Sequence, residues 1–175
     1  EAELQQTTNE LTLTGTVQLD RWSTADRSTP PDSFLRSGEA QWNLDSGRLK
    51  AKGPVLGQRR DQEGTVLEQL EGPSLNGNTL KGEITVQAPV ILKIPREKGV
   101  LRAQATTWLF RDQIIRSAKP FEADLERTRI TGDGFRADLG ATTVDVNGAC
   151  EIRQPGEVLE AERCRWNWDS EDVLA

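Results

Sequence analysis

Short stretches of alternating apolar and polar residues run along the chain and predict β-strands. Alternation with a period of two places every second side chain on one face of a strand. The clearest examples are residues 11–19, 83–88, 135–139 and 143–147. Sequences that favour turns stand between such stretches: Asp45-Ser46-Gly47, Asn76-Gly77, Lys98-Gly99, Asn147-Gly148 and Pro155-Gly156. The pattern predicts an all-β protein of short antiparallel strands.

Two segments depart from simple alternation. Residues 20–32 are polar and contain Pro30-Pro31, which predicts a loop. Residues 59–70 contain several helix formers, but Gly64 interrupts them and Thr65-Val66-Leu67 favours a strand. Helical segments are therefore expected to be scarce.

Three tryptophans, Trp42, Trp108 and Trp166, each begin a copy of one phrase. An apolar residue follows two positions later, another apolar residue seven positions later, and a small residue nine positions later. In the three copies these are Leu44, Phe110 and Trp168; Leu49, Ile115 and Val173; and Ala51, Ser117 and Ala175. Each phrase predicts a hairpin in which the tryptophan and the residues two and seven positions after it face inward. An internal repeat of this kind predicts stacked β units.

The repeat also suggests how the chain is organised. A strand headed by Gly15 precedes the first phrase, and one headed by Gly82 precedes the second at nearly the same distance. We expect residues 1–175 to form one domain of repeated β units. The third phrase stops at Ala175, so its unit is expected to be truncated.

Composition narrows the range of functions. The chain has a formal net charge of −6 and no basic stripe, which disfavours nucleic-acid binding. It contains no histidine, which excludes Ser-His-Asp and Cys-His catalysis and imidazole metal ligands. We expect no metal and no cofactor. No apolar run is long enough to span a bilayer.

The two cysteines, Cys150 and Cys164, flank a turn signal at Pro155-Gly156. Both occupy even positions, as Ile152 and Trp166 do, so regular strands would place them on one face. A cross-strand disulfide in an oxidising compartment and a pair of buried thiols both fit this spacing.

Charged residues offer weaker candidates for chemistry. Asp133, Asp138 and Asp145 are candidates for paired catalytic carboxylates, but alternation places them on the polar side of their strands. Arg59-Arg60 and the pair Arg127 and Arg129 are candidates for binding lipid phosphates, although nearby acids favour a solvated surface. The sequence therefore favours a protein that is not an enzyme.

Residues 102–175 resemble the periplasmic lipopolysaccharide-transport family that includes LptC, LptA and the N-terminal domain of LptD. The resemblance rests on the phrase Ala-Thr-Thr-Trp-Leu-Phe-Arg-Asp-Gln-Ile-Ile-Arg-Ser-Ala-Lys-Pro-Phe at residues 105–121, on Ile-Thr-Gly-Asp-Gly-Phe-Arg-Ala-Asp-Leu at 130–139 and on Val-Asp-Val-Asn-Gly at 144–148. Residues 38–56 carry a weaker copy. The order of these elements is most similar to LptC-like members.

The resemblance implies an antiparallel β-jellyroll, an open twisted sandwich whose apolar groove shelters the acyl chains of lipopolysaccharide. It implies a periplasmic location, with tethering to the inner membrane by an N-terminal helix absent from this chain. The implied partners are lipopolysaccharide, the permeases of an inner-membrane ABC transporter and an LptA-like jellyroll that pairs through strand edges. The expected groove residues are Trp42, Leu44, Ile84, Val86, Trp108, Phe110, Phe121, Phe135, Val144 and Trp166.

Two alternatives stay open from the sequence. The same apolar residues could pack against one another as a closed core, with no groove. The protein could also be a structural or interaction module that assembles through exposed strand edges without lipid.

Overall fold

A computed structural model of the protein describes residues 2–5, 8–22, 25–170 and 172–175. In this part of the chain there are fifteen β-strands and one short 3-10 helix, Pro95–Glu97. The first seven strands are β1 (Ala2–Gln5), β2 (Glu10–Arg21), β3 (Ser33–Asn43), β4 (Arg48–Arg60), β5 (Val66–Asn78), β6 (Glu83–Val86) and β7 (Val90–Ile94). The others are β8 (Gly99–Ala103), β9 (Thr106–Leu109), β10 (Ile114–Ser117), β11 (Phe121–Leu125), β12 (Thr128–Asp138), β13 (Thr143–Gln154), β14 (Glu157–Asn167) and β15 (Val173–Leu174).

The strands form two facing layers that share their longest members. All pairings are antiparallel, and β5 pairs with β6 through residues 75–78 and with β7 through residues 69–71. The first layer continues from β6 through β9 and β10 to residues 135–138 of β12, and the second continues from β7 through β8 and β11 to residues 128–132 of β12. The antiparallel all-β jellyroll expected from the sequence is confirmed.

Long strands pass from one layer to the other at β-bulges. The pairing register shifts within β2–β3, β3–β4, β4–β5, β12–β13 and β13–β14. Gly53, at the bulge of β4, has a φ of 83°, which an L side chain rarely adopts. Because a bulge bends its strand and increases the local twist, the two halves of each long strand diverge from one closed corner. The opposite side of the sandwich is its mouth.

A single row of cross-strand partners crosses the first layer, and we call it the tryptophan row. Its members are Leu11, Trp42, Leu49, Gly77, Ile84, Trp108, Ile115, Ala137, Val144, Trp166 and Val173. In all three hairpins the tryptophan pairs with the residue seven positions later, as the repeat predicts.

A matching row, the leucine row, crosses the inner face of the second layer. Its members are Leu19, Leu35, Gly57, Leu70, Leu92, Leu101, Ala123, Ile130, Ile152 and Leu159. The two rows face each other, since Trp108 lies 3.4 Å from the position that a Cβ on Gly57 would occupy. Most of the buried apolar side chains lie between the layers.

Tight turns join the first-layer strands at the mouth. Loops of four residues connect β3 to β4, β5 to β6, β9 to β10 and β12 to β13. Leu44 is the first residue of such a loop and is 43% exposed, so the expectation that it faces inward beside Trp42 is wrong. The second position of the phrase belongs to the turn and not to a strand, so strand alternation does not determine its direction. Of the loop expected at residues 20–32, Asp20 and Arg21 belong instead to β2, residues 22 and 25–32 are in neither strand nor helix, and residues 23–24 lie outside the described part of the chain. Residues 59–70 lie mainly in strands.

Candidate functional site

An apolar cleft of about 630 Å³ lies between the layers near the N-terminal end of the sandwich. The first layer contributes Trp42, Leu49, Ile84 and Trp108 from the tryptophan row, and the second contributes Leu19, Leu35 and Gly57 from the leucine row. These residues come from strands far apart in sequence, and the pairing of β2 through β9 brings them together. The cleft can accept an apolar group that is larger than a solvent molecule.

The cleft exists because side chains do not fill the space between the rows here. Gly57 occupies the place in the leucine row that faces Trp108. Leu19, Leu35 and Trp42 are only partly buried. Towards the C-terminal half, by contrast, the Phe121 and Phe135 rings contact each other across the layers with centroids 4.9 Å apart. One half of the interior is therefore open and the other is packed.

Phe110 and two arginines form the rim of the cleft. Phe110 follows β9 and is half-buried, and its amide donates a hydrogen bond to the Gly82 carbonyl at 3.0 Å. The Arg21 guanidinium, from the end of β2 in the second layer, lies 5.4 Å from the centroid of the Phe110 ring. Arg111 donates to the Thr79 carbonyl at 3.4 Å. The cleft thus has an apolar interior and a basic edge at the mouth.

Two indole groups in the cleft are polar donors without acceptors. Among the described residues, neither Trp42 Nε1 nor Trp108 Nε1 has a hydrogen-bond partner, and both atoms are buried. Burying an unpaired N–H costs about 1–3 kcal/mol. The tryptophans are thus held by the packing of their rings and not by polar contacts of the indole nitrogen.

A polar contact crosses the mouth beyond the cleft. Arg59 points inward from β4 and forms a bidentate ion pair with Glu68 of β5, with both N–O distances at 2.5 Å. Its third nitrogen donates to Gln113 in the first layer at 3.3 Å. Glu68 is 7% exposed. The ion pair neutralises the buried Glu68 carboxylate with the partly buried Arg59, and the contact with Gln113 joins the layers where the open half meets the packed half.

The expected groove residues separate into groups. Trp42, Ile84, Trp108 and Phe110 line the cleft together. Leu44 lies outside it, on an exposed turn. The others lie elsewhere: Val86, Phe135 and Val144 are buried in the packed interior, while Phe121 and Trp166 border separate surface depressions.

Sequence reasoning missed the second-layer wall of the cleft and its basic rim. Leu19, Leu35 and Gly57 of the leucine row and the rim arginines Arg21 and Arg111 were not among the expected groove residues. Leu19 is in an alternating strand, which is a sequence signal for an inward position. Nothing in the local sequence indicates that Arg111, in one turn, and Arg21, at the end of a distant strand, line the same cleft.

Cys150 and Cys164 form a disulfide between β13 and β14, with their Cα atoms 6.2 Å apart. Both are buried beside the bulge at which this strand pair shifts register. The disulfide lies in the C-terminal half of the sandwich, and neither cysteine lines the cleft.

The candidate carboxylates and arginines have structural partners. Asp133 accepts from the Ala149 amide at 3.2 Å, Asp138 accepts from the Ala141 amide at 3.0 Å, and Asp145 pairs with Arg165 at 2.6 Å. Of the arginines, Arg129 pairs with Glu122 at 2.6 Å, Arg59 pairs with Glu68, and Arg60 lies over the Phe34 ring. Arg127 is exposed on the turn between β11 and β12. In the residues that the structure describes, no three potential ligands form a metal-binding group.

Comparison with known proteins finds a distant likeness. No protein-family model matches the sequence, and comparison with curated proteins finds no match to it. Among solved structures, the chain is similar to LptH, described as the LptA homologous periplasmic component of the lipopolysaccharide transport device from Pseudomonas aeruginosa. The identity is 15%, the TM-score is 0.33, and the match covers 87% of this chain and 85% of that chain. Within the described segments, no helix has the length and apolar character needed to cross a membrane.

Proposed function

We propose that this protein is a non-enzymatic lipid carrier that shelters acyl chains in the cleft between its two layers. The observation that supports this most directly is the cleft itself, which is open at the mouth and lined by both rows. Its volume falls within the range of about 300–1,000 Å³ that is usual for small-ligand sites. Shape and apolar burial suffice for this function, and no reactive group is required.

The apolar walls supply enough free energy for reversible binding. Each buried methylene group contributes about 0.8 kcal/mol, so about six of them contribute about 5 kcal/mol before the entropic cost of association. Two layers that meet at a bulged corner and diverge at the mouth admit a chain from the side. Such a site suits a component that receives a lipid and hands it on.

We further propose that the lipid is lipopolysaccharide and that the protein is a periplasmic transport component, in one domain, that connects an inner-membrane ABC transporter to a jellyroll relay. This proposal rests on the resemblance of residues 102–175 to the transport family. The Cys150–Cys164 disulfide is consistent with an oxidising compartment. An LptC-like role and a membrane tether belong to the same proposal.

The second candidate function, assembly through strand edges, is favoured by the surface of β14. Residues 157–161 of this strand pair with β13 and with no other described strand. Val158 is 57% exposed and Leu159, the end of the leucine row, is 36% exposed. An apolar strand with one unpaired edge can recruit a partner strand through main-chain hydrogen bonds. Assembly and lipid transfer are compatible in one protein.

The test of lipid binding places a charge on the cleft wall. Leu35→Asp puts a carboxylate among the apolar residues of the cleft, and we expect photo-crosslinking of lipopolysaccharide to fall at least tenfold. Leu159→Asp is the matched control, because it makes the same change at the far end of the same row. Thermal melting monitored by circular dichroism verifies that both variants fold. Undiminished crosslinking in folded Leu35→Asp would exclude the cleft as the lipid site.

A further inference from the structure

The rim arginines differ from several arginines on the outer faces of the sheet. These outer guanidinium groups pair with carboxylates on neighbouring positions: Arg102 with Asp124 at 2.8 Å, Arg129 with Glu122 at 2.6 Å, and Arg165 with Asp145 at 2.6 Å. Among the described residues, neither Arg21 nor Arg111 forms an ion pair. In a protein with a net charge of −6, two cations that have no carboxylate partner within the described segments lie at the mouth of its apolar cleft.

The fold holds both guanidinium groups at this place. Arg21 reaches from the second layer to the Phe110 ring, and this contact with the ring face orients its planar group. The aliphatic part of Arg111 packs over Gly82, where a Cβ would lie 2.7 Å from the Arg111 side chain. The end of that side chain contacts the Thr79 carbonyl, which belongs to the cleft wall.

The charge balance at the rim is positive. Asp20 is the acidic residue among those lining the cleft, and its carboxylate accepts a hydrogen bond from the Gln18 side-chain Nε2 at 2.8 Å. Guanidinium groups bind phosphate and carboxylate oxygens through parallel N–H donors, and these charge-assisted hydrogen bonds are stronger than neutral ones.

We propose that Arg21 and Arg111 bind the anionic headgroup of a lipid whose chain lies in the cleft. The chain then enters past Phe110 towards Trp108, and the headgroup stays at the rim in contact with solvent. This inference rests on the proposed function, and it adds the residues that bind the headgroup and the orientation of the ligand. The cleft selects anionic amphiphiles over neutral or cationic amphiphiles of the same chain length.

The experiment compares ligands that share one chain. Isothermal titration calorimetry at low ionic strength measures binding of decyl phosphate, 1-decanol, decyltrimethylammonium and inorganic phosphate to the whole chain. We expect decyl phosphate to bind at least tenfold more tightly than 1-decanol, and inorganic phosphate alone to bind far more weakly than either. The double variant Arg21→Gln/Arg111→Gln is expected to bind decyl phosphate and 1-decanol equally, whereas Arg21→Lys/Arg111→Lys retains part of the preference.

The control variant is Arg102→Gln/Arg129→Gln, which removes the same number of charges from an outer face. It is expected to keep the preference for decyl phosphate. Equal binding of decyl phosphate and 1-decanol by the unaltered protein would overturn the headgroup site and leave the lipid cleft intact. The headgroup site would also be overturned if the control variant lost the preference for decyl phosphate to the same extent as the Arg21→Gln/Arg111→Gln variant. Tight binding of inorganic phosphate alone would overturn it as well. Binding of none of the decyl compounds would instead refute the proposed lipid cleft itself.

Discussion

At the residue scale, the cleft tryptophans combine large apolar surfaces with unsatisfied donors. Trp108 is 6% exposed and its ring lies against the backbone of Gly57, but its Nε1–H has no acceptor among the described residues. The ring stabilises the fold through apolar burial, while the indole N–H opposes it by losing its hydrogen bonds to water. Removing only the donor and removing the whole ring should therefore have very different effects.

We expect Trp108→Phe to lower the free energy of unfolding by less than about 1.5 kcal/mol, because removal of the unpaired N–H offsets part of the lost apolar burial. Trp108→Ala removes the ring and should cost about 3–5 kcal/mol. Urea denaturation measures both values. Trp166→Phe is the matched comparison in the same row, and its N–H is not among the buried unpaired donors. If Trp108→Phe lowered the free energy of unfolding as much as Trp166→Phe does, the unpaired N–H of Trp108 would carry no energetic cost.

A surface ion pair of the second layer gives a pH-dependent prediction. The Lys93 ammonium hydrogen-bonds to Glu71 and lowers the pKa of that carboxyl below its usual value. A lowered pKa in the folded state adds stability above the unfolded-state pKa of about 4.3, and this stability is lost as the pH falls through the folded-state pKa. Lys93→Met should raise the pKa of Glu71 in an NMR titration. At pH 7 this variant should be less stable than the unaltered protein by at most about 1 kcal/mol, because the pair is exposed. This difference in unfolding free energy should shrink in acid.

At the scale of elements, the turns at the mouth form a ladder of main-chain hydrogen bonds. Five residues with positive φ each precede a strand and accept a hydrogen bond from the amide of a neighbouring turn. They are Asn9, Gly47, Gly82, Gln113 and Thr142, which accept from Leu44, Thr79, Phe110, Leu139 and Trp168. In each copy of the phrase, the residue two positions after the tryptophan donates its backbone amide to this ladder. The repeat therefore specifies a turn hydrogen bond at that position as well as an apolar side chain. This ladder fixes the spacing of the strands that form one wall of the cleft.

Gly47 is the position in the ladder most sensitive to substitution. It has a φ of 68°, and a Cβ there would lie 2.6 Å from Leu80 Cγ and 2.9 Å from the Leu80 amide nitrogen. We expect Gly47→Ala to lower the free energy of unfolding by about 1–3 kcal/mol, because it combines strained backbone with a steric clash. The control is Gly140→Ala in another of these turns, where the nearest contact would be at 3.6 Å and φ is not in the strained range. Equal melting temperatures for the two variants would contradict this account of the ladder.

The disulfide stabilises the strand pair β13–β14. It closes a loop of 14 residues, for which the loss of chain entropy in the unfolded state amounts to about 3 kcal/mol. We expect the double variant Cys150→Ala/Cys164→Ala to lose about 2–4 kcal/mol of unfolding free energy. Adding a reductant should destabilise the unaltered protein by a similar amount and leave the double variant unchanged. Identical denaturation midpoints with and without reductant would show that the bond adds no stability.

At the scale of the whole molecule, the sequence predicts strands and hairpins well because both arise from local patterns. Alternation identifies the strands, and the tryptophan phrase predicts the pairing of Trp42, Trp108 and Trp166 with the seventh residue after each. The opposite wall of the cleft is not predictable in this way, because it depends on where long strands bend from one layer into the other. Periodicity identified Phe135 as inward-facing, but it cannot distinguish a residue that lines an open cleft from one in a packed core.

Because one half of the interior is open and the other is packed, we expect substitutions in the two halves to affect the free energy of unfolding and ligand binding differently. Phe135, 1% exposed and in contact with Phe121, should cost about 3–5 kcal/mol when changed to alanine, because the packed half cannot collapse around the cavity. Leu35→Ala, at the half-buried cleft wall, should cost only about 1–2 kcal/mol but should weaken lipopolysaccharide crosslinking several-fold. Urea denaturation and crosslinking of the folded fraction measure the two effects. If Phe135→Ala reduced crosslinking of folded protein as much as Leu35→Ala does, the ligand would extend beyond the Arg59–Glu68 contact into the C-terminal half, and the cleft would be only part of a longer groove.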